Sequence, residues 1–238
     1  MGTAAQGIPT AEITSRFQVG FFGGYLSPSL LGEVTGTLTT ATGDLSVSTD
    51  VEAEATNVIG GLIGWRLSNA ATVRVRAARS GTHVRLIALA TPIGGFGAQR
   101  FTFGDLGDVE IWFADVELLW EPISTETSAT PYLVAGVGVS HWDITGLEDL
   151  GSLPPLLETP VNLSPVNAKL PAVTLAAGVS YSPTDAFTVA LELTDHISGN
   201  PLEDDDFRLG TSFTGFGRAK DLVHSVSLSI GLHLDLGG

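Results

Sequence analysis

The sequence predicts an all-β chain: an eight-stranded antiparallel up-and-down transmembrane β-barrel with short periplasmic turns and long extracellular loops. Three observations predict it. The chain is apolar overall, with a mean hydropathy of +0.28, and only 16% of its 238 residues are charged, against about 25% in a soluble domain. It nevertheless holds no run of about 18 apolar residues that could form a spanning helix. Its longest candidate, NVIGGLIGW (57–65), is short and broken by glycine. The third observation is layout: eight segments of period-two alternation are joined by connections that alternate short and long. In lipid only helices and closed barrels satisfy their backbone polar groups internally, so an apolar chain without a spanning helix points to a barrel.

The segments fall at 15–27, 57–67, 71–85, 111–120, 131–142, 171–181, 187–197 and 222–236. The first opens at RFQVGFFGGYL, where glycines interrupt an aromatic run. The second and third flank SNA (68–70), a connection short enough for a hairpin. The fourth, IWFADVELLW, and the fifth, PYLVAGVGVSHW, flank EPISTETSAT (121–130). The sixth and seventh flank SPTDA (182–186), and the eighth is SVSLSIGLHLDL with its flanks. The other connections, 28–56, 86–110, 143–170 and 198–221, are long. A soluble sandwich has no reason to gather its long loops at one end, whereas an outer-membrane barrel does. The first loop, EVTGTLTTATGDLSVSTDVEAEA (33–55), itself alternates around Gly43–Asp44, which predicts a hairpin extending the barrel above the membrane. Residues 1–14 are expected to be a flexible N-terminal segment and 15–238 a single barrel domain. MGTAAQG has no apolar stretch of the kind that drives export, so a signal peptide is expected to have been removed.

Parity separates two faces on each strand. In the fourth, Trp112, Ala114, Val116, Leu118 and Trp120 oppose Asp115 and Glu117. In the eighth, Val226, Leu228, Ile230, Leu232, Leu234 and Leu236 oppose Ser227, Ser229, Gly231, His233 and Asp235. Aromatics are sorted by height. Phe17, Trp65, Trp120, Tyr181 and Phe187 lie on apolar faces near the short turns, and Tyr25 and Trp112 lie on apolar faces near the long loops. Two aromatic girdles bounding an aliphatic band mark a lipid-facing exterior. The other parity then lines the lumen with Arg16, Gln18, Arg66, Arg74, Arg76, Asp115, Glu117, Glu192, His196, His233 and Asp235. Antiparallel pairing sets Arg74 level with Glu117 and Arg76 level with Asp115, and closure brings Asp235 toward Arg16. Paired charges offset one another's desolvation. Inward glycines, among them Gly20, Gly60, Gly136 and Gly138, leave room for long side chains. Arg79 falls on the outer face near the top of an apolar band ~25 Å tall, with His83 and Arg85 above it. Arg79 and Arg85 are expected to meet anionic headgroups or lipopolysaccharide phosphates.

Several stretches carry a resemblance: RFQVGFFGGYLSP (16–28), NVIGGLIGWRLSNAATVRV (57–75), TPYLVAGVGVSHWD (130–143), PAVTLAAGVSYSPTDAFTVALEL (171–193) and HSVSLSIGLHLDL (224–236). Together they resemble the OmpA/OmpW-type eight-stranded outer-membrane β-barrel superfamily, in pattern over about half the chain. Members usually end in an aromatic residue, whereas this chain ends in Leu236 followed by Gly237–Gly238. The resemblance implies the outer membrane of a Gram-negative envelope. It also implies a scaffold used for anchoring, narrow passive permeation, passage of small hydrophobic molecules, or adhesion through loops.

Composition excludes several other functions. A net charge of −15 argues against nucleic acid, whose phosphates need clustered Lys and Arg. With no Cys there is no disulfide, thiolate nucleophile or zinc–thiolate site. No phosphate loop, dinucleotide fingerprint or nucleophile elbow is present, and no cofactor is expected. The acidic run Glu203–Asp206 lacks the spaced ligands of a cation loop and reads as a solvated tip, so no metal is expected. One enzyme-like string remains, DHISGNPLEDDD (195–206). It resembles the His-x-Ser signature of PagL-type lipid A deacylases, which would make His196 the base, Ser198 the nucleophile and Glu203 the orienting acid. The leading expectation is a structural or surface-interaction protein with at most narrow permeation through a plugged polar lumen. Its alternatives are that lipid-modifying enzyme and a soluble lipocalin-like carrier of an apolar ligand. Outer-membrane lipids and lipopolysaccharide are the expected partners.

Overall fold

The structure, a computed structural model, describes residues 15–27, 29–40, 43–93, 97–103, 107–122, 129–145, 162–163, 165–184, 186–208 and 213–237. The expected N-terminal segment 1–14 lies outside them. Eight strands close into a ring: β1 (Ser15–Leu26), β4 (Thr56–Ser68), β5 (Ala71–Pro92), β7 (Asp108–Trp120), β8 (Ala129–Thr145), β10 (Val166–Thr184), β11 (Phe187–Gly199) and β14 (Leu222–Gly237). Each pairs antiparallel with its neighbour in that order, and β14 returns to β1 through the ladder Phe17↔Leu236 to Leu26↔Ser227. The expected eight-stranded antiparallel barrel is what the chain forms.

The long loops are less loop-like than expected. β2 (Ser29–Thr40) and β3 (Gly43–Ala53) form the anticipated hairpin, with Thr40 opposite Gly43. Gly43 sits at φ +132°, a conformation that a side chain disfavours. What periodicity does not show is how the hairpin is held. β5 runs 22 residues, and past the barrel rim its Val84–Pro92 stretch pairs with β3. The short β6 (Gln99–Phe103) pairs with β5, and β13 (Phe213–Ala219) pairs with β2. A second small ladder joins β9 (Asn162–Leu163) to β12 (Phe207–Arg208). A twisted β-sheet therefore rises from one side of the barrel at its long-loop end.

The two faces divide as parity expects. Phe21, Ile59, Ile63, Val75, Val116, Val137, Val173, Leu191, Ile230 and Leu232 are exposed on the outer wall. Phe17, Tyr25, Trp65, Trp112, Trp120 and Tyr181 are also exposed there, and Phe187 is half-buried. An aliphatic and aromatic exterior over a charged interior is inside-out for a protein in water, so this wall belongs in a bilayer. A soluble carrier would turn the same residues inward.

The interior departs from expectation in its upper half. Toward the loops the inward residues are apolar: Phe22, Leu26, Val58, Ala78, Ile111, Phe113, Trp142, Ile144 and Val223. They form one core with Leu31, Val34, Val51, Val84 and Leu86 of the rising sheet and with Leu202. Strand halves such as NVIGGLI are apolar on both faces because one meets lipid and the other meets this cap.

Candidate functional site

The interior charge cluster is built by strands that face one another across the lumen. Arg74 and Arg76 point inward from β5 as alternate residues, and β7 places Glu117 and Asp115 opposite them in register. All four are buried, as are Glu192 and His196 of β11. Glycine makes room for them: a Cβ on Gly136 would lie 2.7 Å from Glu117 Cγ, and one on Gly138 would collide with Asp115.

Glu192 is the centre of the cluster. Its carboxylate accepts from Arg74 Nη2 at 2.7 Å, Arg76 Nη1 at 2.5 Å, Tyr132 OH at 3.0 Å and Thr194 Oγ1 at 2.9 Å. A carboxylate has about four acceptor sites, so Glu192 is saturated. Arg74 also binds Glu117 through Nε. The expected Arg76–Asp115 ion pair does not form, although the two are register partners. The long guanidinium reaches across to β11, with Nη1 only 4.0 Å from Glu117 Oε1. Asp115, too short to follow, accepts from Thr174 Oγ1 at 3.0 Å and meets His196 Nε2 at 3.1 Å. Two rings close this tier from above: Phe22 lies 4.1 Å from the Arg76 guanidinium carbon, and Phe113 lies 4.2 Å from the His196 ring.

Below the tier, His233 is buried beside Gly20, next to a cavity of about 10 Å³, about the room one water needs. At the short-turn rim Gln18 Nε2 donates to Asp235 at 2.8 Å, while Arg66 and Asp235 are half-buried. The side chain of Arg16 lies outside the described residues. Tyr132 and Thr194 were missed by sequence reasoning, whereas the parity of its strand already puts Thr174 on the polar face. Tyr132 shares the inward parity of β8 with Val134, Gly136, Gly138, Ser140 and Trp142, but its partner lies 60 residues away on β11.

The residues of the enzyme-like string stay apart. His196 and Ser198 both face the lumen, one turned to Asp115 and the other donating to its neighbour Gly199 O at 2.9 Å. Glu203 is exposed beyond the strand end, its N–H donating to Asp206 at 2.8 Å. Of the two outer arginines, Arg79 is exposed, ion-paired to Glu110 at 2.5 Å and 5.0 Å from the Trp112 ring. Arg85 has left the barrel ring with the upper part of β5 and forms a two-pronged contact with Glu52 of β3, at 3.0 and 2.7 Å.

No family model matches the chain. No curated protein matches it either. Among solved structures it is similar to Neisserial surface protein A, at 15% identity over 92% of this chain and 97% of that one, with a TM-score of 0.50. It is also similar to AlkL, determined in lipid bilayers, at 15% identity over 100% of this chain and 98% of that one, TM-score 0.48. A third is OprG of Pseudomonas aeruginosa, at 10% identity over 91% and 96%, TM-score 0.42. At such identities the likeness speaks of fold, and the first of the three carries it. The fold is that of the bacterial outer-membrane β-barrels, and the outer-membrane location expected from the sequence agrees with it.

Proposed function

We propose that this chain is a closed outer-membrane barrel that anchors and displays a folded extracellular β-sheet, and that it is not a pore. One observation carries the reading: the lumen is filled at two successive levels. The lower level is the Arg74, Arg76, Glu117 and Glu192 network, whose members are all buried. The upper is the apolar cap from Phe22 to Trp142, continuous with the core of the rising sheet. An eight-stranded barrel is just wide enough for its own side chains to fill. A solute would have to break charge-assisted hydrogen bonds in a low dielectric and then cross a dry layer. The cap also supports a role outside the membrane, because it joins the barrel to the sheet of β2, β3, β13 and upper β5 as one packed body.

Planar-bilayer recording tests this. The folded protein is expected to give no discrete conductance steps, and no more solute flux in liposome swelling than empty vesicles. Reproducible unitary steps from the intact protein would sink the reading in favour of narrow permeation.

A further inference from the structure

We infer that the outer wall at the long-loop end carries a binding site for one glycolipid, whose head is a disaccharide phosphorylated at both ends. In the outer leaflet of an outer membrane that molecule is the lipid A of lipopolysaccharide. The inference stands on the lipid-facing wall and is independent of whether the lumen is closed. Register sets the outward residues of β5, β7, β8 and β10 in two adjacent rows. The lower reads Arg79–Trp112–His141–Lys169. The upper, one outward position nearer the loops, reads Gly81–Glu110–Asp143–Asn167. Among the described residues, Arg79 and Lys169 are the only arginine or lysine side chains on the outer face of the ring, and they close the two ends of one row. Both carboxylates stand over the middle, above the two rings, while the uncharged Gly81 and Asn167 stand above the cations.

Charge across this strip therefore runs positive, negative, negative, positive. A phosphate at each end with sugar hydroxyls between them complements that order, since a carboxylate accepts from hydroxyls and repels phosphate. Neighbouring strands lie about 4.8 Å apart, so three steps set Arg79 and Lys169 roughly 14 Å apart along the wall. Two linked pyranose rings with a phosphate on each outer end span that interval, whereas a lipid with one phosphate reaches one cation. Glu110 Oε1 takes both the Arg79 Nε, at 2.5 Å, and the Trp112 indole N–H, at 3.0 Å, which fixes the guanidinium beside the ring. A guanidinium has five donors, so a phosphate binds through the others. Lys169 has no ion-pair partner among the described residues. His141 Nδ1 lies 3.1 Å from Ala168 O, which leaves Nε2 for a hydroxyl. A hollow of about 290 Å³ opens over Gly81, Glu110 and Asp143 and gives a sugar ring room. Beneath the rows the next outward residues are Ala77, Ala114, Val139 and Pro171, all apolar. Beside Ala77 a groove of about 480 Å³ runs between Phe21, Ile59 and Trp112 and reaches Arg79, where an acyl chain hangs below its phosphate.

Native mass spectrometry of the folded protein, released from detergent with equimolar bisphosphorylated lipid A and its monophosphorylated form with the same acyl chains, tests the site. The expected result is one retained lipid, with the bisphosphorylated form favoured by up to about fivefold, the factor one exposed ion pair supplies. Lys169→Gln and Arg79→Gln are each expected to abolish that preference while lipid is still retained. Arg85→Gln, on the rising sheet and off the row, is expected to leave it unchanged. Ala77→Leu is expected to reduce retention of both lipids by filling the groove. Heat-modifiable gel migration verifies that each variant is folded. Equal retention of the two forms by the intact protein, a preference that survives Lys169→Gln or Arg79→Gln, a preference lost in Arg85→Gln, or undiminished retention in Ala77→Leu would each overturn the inference.

Discussion

Glu192 shows how one side chain organises the interior. It lies 118 residues from Arg74 and 116 from Arg76 in the chain, yet receives both guanidinium groups together with Tyr132 and Thr194. Removing it strands two buried cations, and breaking a buried pair from one side costs about 3–5 kcal/mol. Glu192→Ala is therefore expected to lower the unfolding free energy in detergent by that amount, read from the denaturant midpoint. A loss of under ~1 kcal/mol would mean that water compensates the arginines and the network is not closed. The parity of TVRVR and FADVE was enough to place Arg74, Arg76, Asp115 and Glu117 inside. Which acid meets which base was not legible there, because side-chain reach across the lumen decides it.

At the scale of elements, the rising sheet combines a readable hairpin with unreadable partners. Gly43–Asp44 between alternating segments marks the β2–β3 turn, and Thr40 does pair with Gly43. The attachment of β13 to β2 and of β3 to upper β5 is a matter of distant strand edges meeting, which local periodicity cannot report. The outward face of this sheet has an electrostatic consequence. Burial, and then the neighbouring carboxylates Glu33 and Glu52, hold Asp50 above the ordinary aspartate value, against smaller opposing effects of Lys220 and Arg100. Folded Asp50 thus keeps its proton to a higher pH than the unfolded segment does. The sheet is favoured while both states are protonated and loses stability as pH rises through the folded value. Asp50→Asn is expected to slow amide exchange in β2 and β3 at neutral pH, with the gain vanishing on acidification below the ordinary aspartate range. A gain that persists unchanged in acid would show that Asp50 is not its source.

For the whole molecule the decisive property is the inverted distribution of polarity. Val137 is 65% exposed at mid-strand, between Val116 and Val173 on the neighbouring strands. In water an exposed valine tolerates arginine within about half a kcal/mol. At the midplane of a bilayer the same change in a barrel wall costs about 2–4 kcal/mol. Val137→Arg is expected to show the larger penalty in lipid vesicles, measured by reversible unfolding, and a near-neutral effect there would contradict the lipid-facing assignment of this wall.

Alternation, girdled aromatics and the rhythm of short and long connections determined the barrel, its strands and the side that each residue faces. Those are local properties, since a period of two and a turn signal act over a few residues and the bilayer imposes the rest. The tertiary structure alone decided the Glu192-centred network, the apolar cap over it and the sheet assembled from separate loops. Each of these joins residues far apart in the chain whose spacing carries no common period. Their contacts are fixed by closure of the ring and by the reach of individual side chains.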